Sequence, residues 1–203
     1  MSTTDETAVV RAMAVADPAP LGLAGFALTT FLLSAFNAHW TRGAGGEWLA
    51  YALAYGGIAQ LLAGMWEFRR QNVFGATAFG TYGAFWLGLF FFFHFIVPTE
   101  GENVANDLGW ILLGFAIFNL YMTILSAQAN VAVFGVFLLL EIALIVLFIG
   151  FFADNINLIK IGGYVGVATA AIAWYASAAG IAAGMGGRLQ LPVGAPLIRS
   201  AGS

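Results

Sequence analysis

The sequence predicts an all-α integral membrane protein of six transmembrane helices, with both termini on the cytoplasmic side. Three observations lead there. Of the 203 residues, 61% are hydrophobic and only 8% are charged, whereas a soluble domain needs roughly a quarter of its residues charged. Mean hydropathy is +0.90. Apolar runs of roughly 20 residues, the length that crosses the hydrocarbon core at a rise of about 1.5 Å per residue, recur along the chain.

In chain order, residues 1–17 are polar, include Asp5 and Glu6, and lack the apolar core and small-residue site of a cleaved signal peptide. They read as a short cytoplasmic tail. The six expected spans are Leu21–Trp40, Trp48–Trp66, Phe74–Val97, Leu108–Ala127, Val131–Ala153 and Leu158–Gly184, within a channel domain of residues 18–187. The cuts between them are Thr41–Glu47, Glu67–Asn72, Pro98–Asp107, Gln128–Asn130 and Asp154–Asn157. The weakest is Gln128–Asn130, but without it the run is too long for one bilayer. The longest loop is Pro98–Asp107, with Glu100, Glu102 and Asp107. Residues 188–203 read as a cytoplasmic C-terminal tail.

Orientation follows the basic residues of short loops. With the N-terminus inside, the inner side holds Arg11, Arg69, Arg70, Arg188 and Arg199, and the outer side only Arg42 and Lys160. That asymmetry predicts N-in and C-in, in the plasma membrane or a prokaryotic inner membrane. A net charge of -3 gives no footprint for nucleic acid. Cysteine is absent, which excludes disulfides and thiolate metal sites. His39 and His94 show no spacing suited to a haem or metal, so no cofactor is expected. Neither HExxH, nor Gly-x-Ser-x-Gly, nor a Walker lysine occurs, which argues against an enzyme or an ATP-driven pump.

Polar residues inside spans carry the functional signal. Thr30, Ser34 and Asn37 form a stripe on the first span, with Phe26 one turn earlier; Gly56, Gln60, Gly64 and Glu67 repeat the pattern on the second. Thr77 and Thr81 share a face of the third span beside Tyr82, and Asn119, Thr123 and Ser126 share one on the fourth. Interhelical hydrogen bonds account for such residues singly. Neutral stripes on four helices point to a shared conduit for a small polar solute. Glu141 is the one acid deep in a span and must be paired, hydrated or protonated there. Glu67, His94 and Glu141 are the candidates for a proton role; His39 reads as an interfacial residue. The pairs Gly162/Gly166 and Gly180/Gly184 suit close helix packing within the bundle.

The chain enters its first span through Asp17-Pro18-Ala19-Pro20-Leu21-Gly22-Leu23. This resembles the Asn-Pro-Ala-Pro-Leu-Gly-Leu signature of the acetate uptake transporter family, whose bacterial members are called succinate–acetate permeases. Tyr55-Gly56-Gly57-Ile58-Ala59-Gln60, Glu67-Phe68-Arg69-Arg70, Thr77-Ala78-Phe79 and Tyr82-Gly83-x-Phe85-Trp86-Leu87 extend the resemblance, as does Leu191-Pro192-Val193-Gly194. The resemblance implies a six-helix protomer, assembled as a hexamer, with a pore per protomer for acetate and related short carboxylates, succinate among them. It implies an apolar constriction of Phe26, Tyr82 and Leu140; in such a channel the polar stripes would let Thr30, Asn37, Gln60, Thr81 and Asn119 offer hydrogen bonds in place of water. In the entrance motif, Asp17 stands where the family has Asn. Either caps a helix, and Pro18 and Pro20 suit a first turn, but an ionised Asp17 opposes an arriving anion. The uncharged stripes also suit a neutral solute such as ammonia or undissociated acid. A non-conducting sensor or structural membrane protein on the same fold is the third reading.

Overall fold

Each of the six apolar runs folds as one membrane-length helix. The computed structural model of the chain describes residues 15–43, 45–100 and 103–198, and among them every regular element is helical. We label the helices α1 (Ala19–Asn37), α2 (Gly46–Arg69), α3 (Val73–Thr99), α4 (Val104–Ser126), α5 (Val131–Phe152) and α6 (Ile156–Met185); all six are long and apolar enough to cross a membrane. Arg11, Glu102, Arg199 and most of the 1–17 tail lie outside the described residues.

Helix ends follow capping chemistry more than hydropathy. α1 stops at Asn37, short of the expected Trp40, because His39 turns left-handed at φ 60°. There the Trp40 and His39 N–H groups bond back to the Ala35 and Phe36 carbonyls, both at 2.9 Å, which pairs the last carbonyls in a Schellman arrangement. The Gln128–Asn130 cut is real: the Asn130 side chain caps α5, accepting from the Val133 N–H at 2.9 Å. Asn72 caps α3 in the same way through the Gly75 N–H at 3.1 Å.

The expected Pro98–Asp107 loop is largely helical, and this corrects the sequence reading. α3 continues past Pro98 because a wide π turn over Phe92–Ile96 precedes it, with the Val97 N–H bonded back to Phe92. That turn absorbs the register break that a proline imposes. Asp107 falls in the first turn of α4, where its charge complements the helix dipole.

α2 packs on α3 and on α1, α1 on α6, α6 on α5, and α5 on α4. The sequence of neighbours around the bundle is thus α3, α2, α1, α6, α5, α4, and side chains of α3 and α4 close the ring. Small residues set the closest approaches. A Cβ on Gly163 would fall 2.5 Å from the Ala38 nitrogen, and one on Gly166 would overlap the Ser34 hydroxyl, so α6 lies backbone to backbone on α1. Both described ends of the chain sit at one end of the bundle, where the Ser177 hydroxyl donates to the Pro20 carbonyl at 2.7 Å.

The segment after α6 is bound to the bundle. The Pro192 carbonyl accepts from the Tyr175 hydroxyl at 2.6 Å. The Val193 carbonyl accepts from the Ala132 N–H at 3.0 Å, and the Leu197 and Ile198 N–H groups donate to the Ala127 carbonyl. This strap therefore holds the turn between α4 and α5.

Candidate functional site

Two cavities enter the bundle from opposite ends. At the end carrying the termini, a cavity of about 750 Å³ is lined by the first turns of α1, α3 and α5 and the last turns of α2 and α4. Gln60, Glu67, Asn72, Thr77, Gln128 and Asn130 supply its polar groups, and Phe26, Tyr82 and Leu140 are its deepest wall. At the other end, a cavity of about 570 Å³ is lined by Leu33, Phe36, Asn37, His39, Thr41, Trp48, Leu89 and Leu147, among others.

The helices measure the barrier between them. On α1 the wall passes from Phe26 to Leu33, on α3 from Tyr82 to Leu89, and on α5 from Leu140 to Leu147. Each step is about seven residues, roughly 10 Å along a helix axis. Three helices give the same thickness, so a single septum closes the bundle near mid-membrane. It is aromatic: Tyr82 meets Phe26 edge-on at 5.6 Å and Phe118 at 5.6 Å, and Phe85 packs on Phe115 at 4.5 Å. Phe26, Tyr82 and Leu140 are 5%, 3% and 8% exposed, a packed constriction without open bore. At septum depth the Thr30 hydroxyl and the Trp86 indole N–H are buried without a partner among the described residues.

Beneath the constriction lies a hydrogen-bonded cluster. The Tyr82 hydroxyl donates to Asn119 Oδ1 at 2.7 Å. Asn119 Nδ2 donates to the Phe137 carbonyl at 2.9 Å and to Glu141 Oε2 at 2.8 Å. Thr123 Oγ1 bonds back to the Asn119 carbonyl at 2.8 Å, and Ser126 to the Thr123 carbonyl at 2.6 Å.

At the terminal mouth, Glu67 is buried, with Oε2 accepting from Asn72 Nδ2 at 2.9 Å. Among the described residues, its other oxygen and Gln60 Oε1 have no partner. Asp17 accepts from the Ala19 N–H at 3.1 Å and pairs with Arg70 at 2.8 Å. The carboxylate in the entrance motif is thereby offset by a cation at hydrogen-bond distance. Of the other motif residues, Gly22 lies against the Phe79 ring and Pro20 against Gly180, Pro18 is buried, and Leu21 points outward at 47% exposure.

The sequence-derived candidates divide clearly. Phe26, Gln60, Glu67, Thr77, Tyr82 and Leu140 line the first cavity, and Asn37 the second. Thr30, Ser34, Thr81, Asn119, Thr123 and Glu141 line neither. Ser34 sits against α6, and Asn119, Thr123 and Glu141 are occupied with one another. His94 is exposed beside the second cavity, stacked on Phe90 at 5.5 Å. Polar spacing along the spans does not mark Asn72, Gln128, Asn130, Thr41 or Trp48 as lining residues, and it places His39 at the interface only. Asn72 and Asn130 carry a recognisable signal: each precedes a span and faces the mouth that its helix start frames.

Comparison with known proteins accords with this architecture. The model of the GPR1/FUN34/yaaH family matches residues 2–195. Ammonia transport outward protein 2 of Saccharomyces cerevisiae is 39% identical over 180 residues, covering 82% of this chain and 62% of that protein. The succinate-acetate/proton symporter SatP of Escherichia coli is 36% identical over 184 residues, covering 89% of this chain and 96% of that one. The solved structure of the bacterial acetate channel SatP superposes with a TM-score of 0.83 at 36% identity, covering 89% of this chain and 100% of that chain. The chain spans 62% of the length of the first fungal relatives it matches.

Proposed function

The chain belongs to the GPR1/FUN34/yaaH family, and from that premise we propose that it is a multi-pass membrane channel for acetate and related short carboxylates, succinate among them. One observation carries the reading: two water-accessible cavities approach from opposite ends and stop at one aromatic septum of Phe26, Tyr82 and Leu140. An apolar constriction of that kind discriminates by size and by the cost of removing water from the solute. Gln60, Thr77 and Asn37 offer hydrogen bonds on either side, and the unpartnered Thr30 hydroxyl offers one within. The work is transport and not catalysis. We further propose a homo-oligomer, a hexamer by resemblance to the family, in a plasma or prokaryotic inner membrane. The N-in, C-in orientation draws on Arg69, Arg70 and Arg188 at the terminal end against Arg42 and Lys160 at the other.

Glu67 is our choice for any proton step. It is a buried carboxyl lining the first cavity, with one oxygen unpartnered, and a carboxyl so placed can exchange a proton with water at the mouth.

A specific observation favours a second reading, passage of a neutral solute such as ammonia or undissociated acid. Among the described residues, Glu67 is the one acidic side chain lining the two cavities, and no lysine or arginine lines either. An anion there gains no ion pair. Labelled acetate uptake into proteoliposomes, measured across several pH values at fixed total acetate, separates the two. Uptake that follows the anion supports carboxylate conduction, and uptake that follows the undissociated acid supports the neutral reading. Uptake no faster than into protein-free liposomes at every pH refutes acetate transport.

A further inference from the structure

Asn119 is fully buried and joins three helices: it lies on α4, its oxygen faces Tyr82 of α3, and its nitrogen faces Phe137 and Glu141 of α5. The direction of each bond follows from chemistry. A backbone carbonyl can only accept, so the nitrogen of the Asn119 amide must face Phe137 at 2.9 Å. Its oxygen therefore faces Tyr82, and the hydroxyl at 2.7 Å must donate the one proton it has. The second amide hydrogen goes to Glu141 Oε2 at 2.8 Å. An amide flip would set its oxygen against the Phe137 carbonyl and is excluded on that ground.

We propose that Asn119 and Glu141 are positioning residues for the constriction, holding the Tyr82 ring across the pathway and committing its hydroxyl proton away from the solute. This rests on the channel reading above. Tyr82 then shows a passing solute its ring and an oxygen lone pair, and no donor. A carboxylate gains no hydrogen bond from this hydroxyl, while a solute bearing O–H or N–H can donate to it. Glu141 acts through the amide and needs only an acceptor oxygen, not a charge. The chain also explains why polar groups occupy the one seam of the bundle, between α3 and α4, that backbone packing leaves open: apolar residues would close the seam but would not aim a hydroxyl.

The test reads selectivity and ring order in the purified full chain. Selectivity is the ratio of acetate to butyrate uptake by proteoliposomes. Glu141→Leu and Asn119→Leu are expected to lower it about tenfold, the population change brought by losing one buried hydrogen bond at the upper end of its usual worth. Glu141→Gln, which keeps an acceptor, retains the ratio that Glu141→Leu loses. In a Tyr82→Phe background neither leucine substitution lowers the ratio further. Ring order is followed by fluorine NMR of protein labelled with 3-fluorotyrosine, the Tyr82 line being identified by its loss in Tyr82→Phe. The line is expected to stay single and sharp in Glu141→Gln and to broaden or split in both leucine variants.

Glu141→Gln matching Glu141→Leu in the ratio overturns the proposal in favour of a charge or proton role. A further fall in the Tyr82→Phe background overturns it in favour of general packing. A Tyr82 line identical in wild type and both leucine variants overturns it outright. The fluorine measurement decides the matter even if wild-type protein moves no acetate, a result that would refute the channel reading alone.

Discussion

Truncating Phe26 is the perturbation whose outcome the septum geometry predicts most sharply. The ring is 5% exposed and meets Tyr82 edge-on at 5.6 Å, at the floor of the first cavity. Phe26→Ala forfeits an aromatic pair worth about 0.5–1.5 kcal/mol. A buried Phe→Ala change in a packed interior costs about 3–5 kcal/mol in all, and water from the adjoining cavity fills part of this hole, so we expect the lower end. The functional effect is no larger in free energy, but it favours larger cargo. A pocket in van der Waals contact with its ligand charges about 1–3 kcal/mol for one extra methylene, a discrimination of roughly 10–200-fold. With the ring gone, the extra methylene meets open space, and acetate-over-propionate selectivity is expected to fall below about tenfold while acetate flux persists. The assay is initial uptake of each labelled acid by proteoliposomes, normalised to protein inserted. An unchanged ratio in a folded, acetate-conducting Phe26→Ala protein would refute the assignment of this septum as the selective step.

Other expectations follow from the same geometry. Asp17→Asn leaves an acceptor for the Ala19 N–H but frees Arg70, the partner of an exposed pair worth about 0.2–1 kcal/mol. The KM for acetate should drop by less than about fivefold at low salt, and the drop should vanish as ionic strength shortens the Debye length to about 8 Å or less; a salt-independent change would contradict it. Thr30→Val removes a buried hydroxyl that has no partner among the described residues, so thermal unfolding should be unchanged or shifted upward while acetate flux falls. Asn130→Ala removes the cap of α5 and should cost about 1 kcal/mol, read as a lower melting temperature by tryptophan fluorescence. Gly166→Leu drives a side chain into the Ser34 hydroxyl and should abolish the yield of folded protein.

The fold is legible because lipid imposes one rule, an apolar run of spanning length, and the chain obeys it six times. What hydropathy cannot see is backbone hydrogen bonding. α1 stops at Asn37 before a left-handed turn at His39 although Trp40 remains apolar, and α3 runs on through Pro98 because a π turn precedes it. The site is legible to the extent that a residue's position along a helix also sets its depth in the bundle. Phe26, Tyr82 and Leu140 sit on three helices, far apart in the chain, and share one wall of one cavity. Polar spacing carries less, because a stripe does not say which neighbour it faces. Ser34 faces a glycine of α6 and Thr123 bonds to its own helix, while Asn37 and Gln60 from matching stripes open onto cavities. His39, itself exposed, and the buried Trp48 flank the turn between α1 and α2 and line the second cavity, a tertiary arrangement without periodicity to announce it.

We propose that solute crosses within a protomer, along the line joining the two cavities through the Phe26–Tyr82–Leu140 septum. A crystal structure of the protein soaked with bromoacetate tests it most directly, because the bromine marks the cargo by its anomalous signal. Peaks are expected in the cavity lined by Gln60 and Thr77 and in the one lined by Asn37 and Thr41, collinear across the septum. Peaks confined to clefts between protomers, with both cavities empty, would contradict it.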